Sequence, residues 1–479
     1  MDKQIHNIPL NLLRPNPQYP NKYFDSIKLN ELARTIKNNG IQEPIHVVRQ
    51  NGEYLIIQGE RAWRASKLAD QITIPAIIEN FTGDQIDDMS VTDSCDLKIP
   101  FHKPHTTDDE INEVVDSIKS GWWTMGPKTL KFEDQFKQYV GSSHAVSMNS
   151  CTACLHLALK VLGLKAGDEV IVPAMTFTAT AEVVTYFNAT PVIVDVDNET
   201  GNIDVAAIEK KISPKTKAII PVHFAGQPCD MDEIHDVAKR HGCFVIEDAA
   251  HSLPATYKNR MIGKGSDIIC FSFYATKTLS TGEGGMATTE NGEWADKLRI
   301  NRLHGITRDG WNRYSNEGTW KYEVLDAGFK YNMTDIQAAL GVAQLRKLDW
   351  MWERRKSIAK QYDEVFNDFP QVNIPIIKAD RESAWHLYVL RLNLDMLRID
   401  RNRFIQELKK RGIGTSVHFI PLYRHPFYQN TYGYDLKDFP VSEKIYDCIV
   451  SLPLYPSMSD KDVELVTCSV DDILRKYKI

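Results

Sequence analysis

Asp267-Ile268-Ile269-Cys270-Phe271-Ser272-Phe273-Tyr274-Ala275-Thr276-Lys277 decides the fold, because an apolar run of strand length ends close to a lysine. Upstream, Cys243-Phe244-Val245-Ile246 runs into Glu247-Asp248-Ala249-Ala250-His251 in the same way. Similar runs stand at Glu169-Val170-Ile171-Val172, Pro191-Val192-Ile193-Val194-Asp195 and Ala218-Ile219-Ile220-Pro221-Val222. Apolar runs without alternation fit strands covered on both faces. Helical stretches such as residues 151–162 lie between them, so the order predicts a mostly parallel sheet with helices on both sides. Ligands of such sheets sit outside the carboxyl ends of the strands. The residues just after the runs are where chemistry is expected.

The chain has 479 residues, enough for about three domains as a prior. Hydrophobic residues at 43% and charged residues at 25% exclude a disordered or fibrous chain. A net charge of -6 gives no global basic field for nucleic acid or an anionic membrane. No apolar run is long enough to span a bilayer, and the start, Met1-Asp2-Lys3-Gln4, lacks the apolar core of an export signal. These features predict a cytoplasmic protein. Eight scattered cysteines then read as reduced thiols, and Cys151-Thr152-Ala153-Cys154 has no second pair to complete a metal site. No metal is expected.

One strand end supplies Asp248 and the next Lys277, followed by the glycine-rich Thr281-Gly282-Glu283-Gly284-Gly285. Each alone reads as a solvated or ion-paired side chain. Together they suit pyridoxal phosphate (PLP) chemistry, in which a lysine holds the cofactor and a carboxylate keeps the pyridine nitrogen protonated. The lysine must lose its proton to act, so burial helps. The phosphate needs a helix start and small hydroxyl residues. Asn149-Ser150-Cys151-Thr152-Ala153 opens a helix and offers Ser150 and Thr152, and Ser272 adds another hydroxyl. Phe177, after the strand at 169–172, offers a stacking face.

Residues from about 98 to 479 resemble the DegT family of PLP-dependent sugar aminotransferases. The resemblance rests on Gly121-Trp122-Trp123-Thr124-Met125-Gly126-Pro127, on residues 149–153, 173–180, 247–251 and 272–285, and on Tyr331-Asn332-Met333-Thr334-Asp335-Ile336-Gln337-Ala338-Ala339. It implies the aspartate-aminotransferase-like (type I PLP) α/β fold, with a large mixed-sheet domain at 97–345 and a small C-terminal α/β domain at 346–479. It also implies a homodimer with shared active sites. By the same resemblance Lys277 is the Schiff-base lysine and Asp248 the partner of the pyridine nitrogen. His251 would lie near the phenolic oxygen, Phe177 against the ring, and Ser150, Thr152 and Ser272 around the phosphate, with Asn332 reaching it from the neighbouring subunit. The blocks His304-Gly305-Ile306-Thr307-Arg308-Asp309-Gly310-Trp311 and 323–332 resemble the branch that aminates carbon 4 of nucleotide-linked 4-keto sugars, with glutamate as donor. Arg308 and Arg313 are candidate contacts of the nucleotide diphosphate and equally read as a solvated loop. His418, in Ser416-Val417-His418-Phe419-Ile420-Pro421-Leu422, is a candidate sugar contact or a satisfied core histidine.

The first segment, 1–82, is separated by a polar linker at 83–96. A helix over 29–40, capped at Asn30, is predicted before strands at 45–48 and 54–57, which are joined by a turn at Asn51-Gly52. A second helix opens at Gly59-Glu60-Arg61-Ala62-Trp63-Arg64-Ala65. This segment resembles the small α+β ParB/sulfiredoxin-like N-terminal domain. The resemblance implies a nucleotide such as ATP or CTP at Gly59, Glu60, Arg61 and Arg64, while Arg61 and Arg64 equally read as a solvated helix face. Sulfiredoxin chemistry would need a cysteine in this motif, and none is present. Nucleic acid is an unfavoured partner, since the basic excess of the segment is slight. The expected activity is transfer of an amino group from glutamate to a nucleotide-linked keto sugar for surface polysaccharide or glycoconjugate synthesis. The rival readings are a ligand-sensing regulator built on the same fold and a bifunctional enzyme whose first segment phosphorylates a small molecule.

Overall fold

The computed structural model describes residues 5–15, 26–41, 44–50, 52–79, 97–307 and 322–479. They form two compact units, Met1–Leu97 and Lys98–Ile479. The expected linker at 83–96 lies outside the described residues.

The first unit is a five-stranded sheet in the order Ile5–Pro9, Thr73–Glu79, Ile45–Gln50, Glu53–Gln58, Leu13–Pro15. Gln50 pairs with Glu53 across the hairpin, where the Asn-Gly turn was expected. Val47, Ile56, Trp63, Ile74 and Ile8 form its core. Helix Ser26–Asn39 begins four residues before Asn30, which therefore lies inside the helix and does not cap it. Packing explains the difference: Leu29, Leu32, Ala33 and Ile36 lie against Ala65 and Ala69 of the second helix, and that apolar stripe outweighs a local capping preference.

The second unit is built on a seven-stranded sheet in the order His144–Met148, Gly285–Thr289, Ile268–Ser272, Phe244–Asp248, Thr216–Ile219, Glu169–Pro173, Thr190–Val194. Gly285–Thr289 runs antiparallel to both neighbours. Every other pairing in the sheet is parallel. Successive strand residues point to opposite faces. Val245, Ile269 and Phe271 accordingly join one buried cluster, while Ile246, Ile268 and Cys270 join another on the far side. This is the two-sided burial that the uninterrupted apolar runs predicted.

Towards the C-terminus a three-stranded antiparallel sheet (Val372–Asn373, Tyr388–Leu392, Ile449–Leu452) packs with helices Leu348–Phe366, Arg401–Lys410 and Asp460–Tyr477. The start of the unit is tied into this part. Ile99 N donates to Gly412 O at 3.0 Å and Gly414 N donates to Ile99 O at 2.8 Å. Ile99 is thereby buried among Tyr362, Tyr388 and Leu452, and the chain next to it delivers Phe101 and His102.

Candidate active site

Strands Phe244–Asp248 and Ile268–Ser272 are adjacent and parallel, with Asp248 level with Cys270. Their carboxyl ends therefore open on the same edge of the sheet. From that edge the chain turns through Tyr274, whose carbonyl accepts from Lys277 N at 2.9 Å. Asp248 is only 5% exposed. Its Oδ2 accepts from Thr180 Oγ1 at 2.8 Å and its Oδ1 from Ala250 N at 3.1 Å. Burial pushes the Asp248 carboxyl above its ordinary range, against those hydrogen bonds and the positive charge of Lys277. Burial likewise pulls the Lys277 amine down to about 8, against attraction to Asp248. A desolvated amine thus lies within electrostatic reach of a desolvated carboxylate, as the strand ends suggested.

A helix start adjoins the pair. Ser150 caps helix Cys151–Val161, its Oγ accepting from Ala153 N at 3.1 Å. The remaining first-turn amides are the free donors of any helix start. Glycine at 285 permits the close packing here. A Cβ at this position would stand 2.5 Å from Ser150 O and 2.6 Å from Cys151 N. Ser272 pairs with Gly285 in the next strand, so its hydroxyl belongs to the same edge. Thr152 is half-buried in the first turn. Asn332 bridges Met148 through the backbone, and its Nδ2 donates to Met333 O at 3.2 Å within the same chain. Cys151 and Cys154 lie on this helix, and burial raises both thiols well above their ordinary value.

Aromatic and imidazole rings form the other wall. Phe419 lies 5.8 Å from His251, nearly parallel to it, and 6.3 Å from Phe177. His251 meets His386 at 4.4 Å. His418 stacks on Phe101 at 5.4 Å, and its Nδ1 is 2.8 Å from Ser451 Oγ. Burial, reinforced by the charge of Lys277, pulls His418 down to about 4 and holds His251 and His386 well below their ordinary value. Burial also lowers His102 to about 4, with the charges of Arg355 and Lys277 adding to it. Phe177 is 61% exposed, on the rim of a cavity of about 680 Å3 shared with Phe419, Ile420, Phe427 and Tyr428. The structure thus brings Lys277, Asp248, His251 and His418 together and places Ser150, Thr152 and Ser272 on the same sheet edge. Arg308 and Arg313 lie outside the described residues.

Sequence reasoning gave no role to Thr180, His102, His386, Arg355 or Phe419. Phe419 stood beside His418 in a quoted motif. His386 and His102 are more than one hundred residues from Lys277 in the chain, and no local spacing signals them.

In the first unit, Gly59 at φ +94° precedes helix Glu60–Leu68. A Cβ there would approach Ile45 Cγ2 to 2.5 Å. Arg64 donates through Nε to Glu60 Oε1 at 2.9 Å. Arg61 is exposed, and the Lys67 ammonium sits 3.8 Å from the Trp63 ring centre.

Residues 104–471 match the DegT/DnrJ/EryC1/StrS aminotransferase family. The chain belongs to that family. Residues 1–95 match the ParB N-terminal domain. The spore coat polysaccharide biosynthesis protein SpsC of Bacillus subtilis is 50% identical over 378 residues, 79% of this chain and 97% of SpsC. MJ1066 of Methanocaldococcus jannaschii is 54% identical over 380 residues, 79% of this chain and 98% of the relative. Among solved structures, Spr1654 of Streptococcus pneumoniae, a candidate sugar aminotransferase in its PMP form, superposes with a TM-score of 0.75 at 37% identity. That match covers 79% of this chain and all of Spr1654. The same protein is also solved in a PLP form. The DegT-family unit is thus a PLP-dependent sugar aminotransferase of the type I fold. Among the described residues no helix is long and apolar enough to cross a membrane.

Proposed function

We propose that the enzyme moves an amino group from glutamate to the keto carbon, carbon 4, of a nucleotide-linked keto-deoxy sugar. The product feeds surface polysaccharide or glycoconjugate synthesis in the cytoplasm. One observation carries the reading: a desolvated lysine amine lies within electrostatic reach of a desolvated carboxylate beyond adjacent strand ends, in a chain 50% identical over 378 residues to a polysaccharide-biosynthesis protein.

The residues present fit PLP. The capped helix start and the hydroxyls of Ser150, Thr152 and Ser272 suit a phosphate. The Cβ-free approach of Gly285 to Ser150 leaves that helix start close to the strand edge. Asp248 suits a protonated ring nitrogen, and that charge would return its carboxyl towards the ionised form. His251, stacked on Phe419 and in ring contact with His386, would lie near the cofactor's phenolic oxygen. Phe177 supplies an aromatic face at the rim, and Asn332 of a second subunit completes the phosphate site in a homodimer. When bound, PLP supplies the electron sink that makes the proton on the donor's α-carbon labile.

The chain's own groups do the rest. Lys277 Nζ would hold the cofactor at rest, and its neutral amine is the base suited to take the proton from the donor's α-carbon. An amine near pH 8 suits that task, because a base works best with a pKa close to the working pH. Asp248 is held in place by Thr180 and Ala250. Donor and acceptor use the same site in turn, which makes the kinetics ping-pong. His418 contacts the sugar, and Arg308 and Arg313 meet the diphosphate. We divide the enzyme at residue 345, at the end of helix Asp335–Arg346, into a cofactor domain and a small domain. The first unit, joined through the linker at 83–96, binds ATP or CTP at Gly59, Glu60, Arg61 and Arg64.

Mass spectrometry of products from UDP-, dTDP- and GDP-linked keto sugars with labelled glutamate tests the activity. Label in an amino sugar supports it. Failure to aminate any member of the panel, by an enzyme that still exchanges label with glutamate, would overturn the substrate class.

A further inference from the structure

His386 is 5% exposed, and its Nδ1 has no protein partner. The same is true of His251, with which it makes ring contact at 4.4 Å and 48°. A buried imidazole nitrogen left unpaired costs about 1–3 kcal/mol, so two in contact call for an explanation at the site itself. The backbone around His386 is held unusually tightly. Arg355, 1% exposed, donates through Nη1 to Leu454 O at 2.8 Å, Trp385 O at 3.2 Å and His386 O at 3.4 Å. Trp385 adopts φ +51°, a conformation costly to a residue with a Cβ. Ala384 N and Leu387 N donate to Gly226 O and Ala225 O at 3.0 and 3.2 Å. Gly226, at φ +109°, has room for no side chain: a Cβ would stand 3.1 Å from both His251 O and His386 N. The strained loops at Ala225-Gly226 and Trp385 are thus clamped to each other, and His386 beside them lies against His251.

We propose that His386 is a positioning residue that holds His251 in one orientation and in its neutral form beside the lysine-bound cofactor. This rests on the cofactor site proposed above. The charged and titratable groups around the pair are Lys277, Arg355, His418 and, on the His251 side, His223. Nearby, His102 lies by Arg355 and Lys277, and of the two carboxylates Glu247 is bonded to His223 and Asp248 to Thr180, so a second cation beside Lys277 would be repelled. The pair therefore stays uncharged. His386, in ring contact, blocks the His251 ring from turning.

The test uses full-length holoenzyme and the variants His386→Ala, His386→Phe, His251→Phe and the double His251→Phe/His386→Ala. The visible absorbance band of the bound cofactor is titrated with pH, and kcat and KM for the amine donor are measured. In His386→Ala the band's midpoint moves by about half a unit or more, and kcat falls about tenfold with KM nearly unchanged. His386→Phe, which keeps an uncharged ring against His251, recovers most of both. In the His251→Phe background the second change adds less than about twofold. A midpoint identical in wild type and His386→Ala, no recovery in His386→Phe, or effects that simply add in the double variant, would overturn the positioning role. A wild-type enzyme with no visible band after loading with PLP would instead overturn the cofactor reading.

Discussion

Thr180 Oγ1 donates to Asp248 Oδ2 at 2.8 Å, and Thr176 Oγ1 lies 2.7 Å behind Thr180 Oγ1. The carboxylate at the end of one strand is thus held by a threonine that follows another, Glu169–Pro173. Thr180→Val removes that donor while preserving shape. We expect kcat to fall about tenfold and the cofactor's visible band to shift. Asp248→Asn, which removes the counter-charge, should cost about 10³-fold or more in kcat. Steady-state kinetics and absorbance spectra of both variants check the ranking. Equal effects would mean that the charge of Asp248 is immaterial.

Lys277→Ala should abolish the visible band and lower turnover by about 10⁴-fold. A spectrum of the purified variant after addition of PLP, alongside the glutamate half-reaction, reads both. Normal turnover by this variant would remove Lys277 from the chemistry.

The depressed Lys277 amine has a stability consequence in the cofactor-free protein. The unfolded lysine binds its proton up to about 10.4, while the folded one releases it near about 8. Between those values the unfolded state holds more protons, so the contribution of Lys277 to stability rises with pH across this window. Lys277→Met should therefore raise the melting temperature of cofactor-free protein at pH 7 by a few degrees. The gain should shrink towards pH 10. Melting curves at pH 7, 8.5 and 10 for both proteins decide it.

Asp335 is fully buried and caps a helix that is not its own. Its Oδ1 accepts from Gly126 N at 2.8 Å, Thr129 N at 2.9 Å and Thr129 Oγ1 at 2.6 Å, and Oδ2 accepts from Lys128 N at 3.0 Å. The first turn of helix Pro127–Val140 depends on it. Asp335→Ala should cost about 3 kcal/mol, because several buried donors lose their acceptor together. Urea unfolding measures the loss. A cost below about 1 kcal/mol would mean that water replaces the carboxylate.

In the first unit, Gly59→Ala meets both a positive φ and Ile45, so it should destabilise that unit by about 1–3 kcal/mol. Arg61→Ala, on an exposed position, should leave stability within about 0.5 kcal/mol. It should weaken ATP or CTP binding to the full chain if that nucleotide is the ligand. Calorimetric titration with each nucleotide separates the two effects.

The DegT/DnrJ/EryC1/StrS motifs and the apolar runs were legible as they stood, because two-sided burial and strand-end chemistry are written in consecutive residues. Strands His144–Met148 and Gly285–Thr289 were not. They are short, and the second, Gly-Met-Ala-Thr-Thr, carries no apolar run; it is a strand because its neighbours on both sides pair with it. The helix start misplaced at Asn30 has the same origin, since packing against Ala65 and Ala69 outweighed the cap.

From its order of residues alone, this protein specifies a buried parallel core, an aspartate and a lysine at successive strand ends, and a hydroxyl-rich helix start beside a glycine-rich turn. Only the tertiary structure decides that His386 and Phe419 close on His251, that Arg355 holds the backbone at His386 and that Thr180 grips Asp248. The reason is physical. Strand and turn preferences act over a few residues, whereas contacts between side chains far apart in the chain are set by how buried surfaces meet once the sheet has formed.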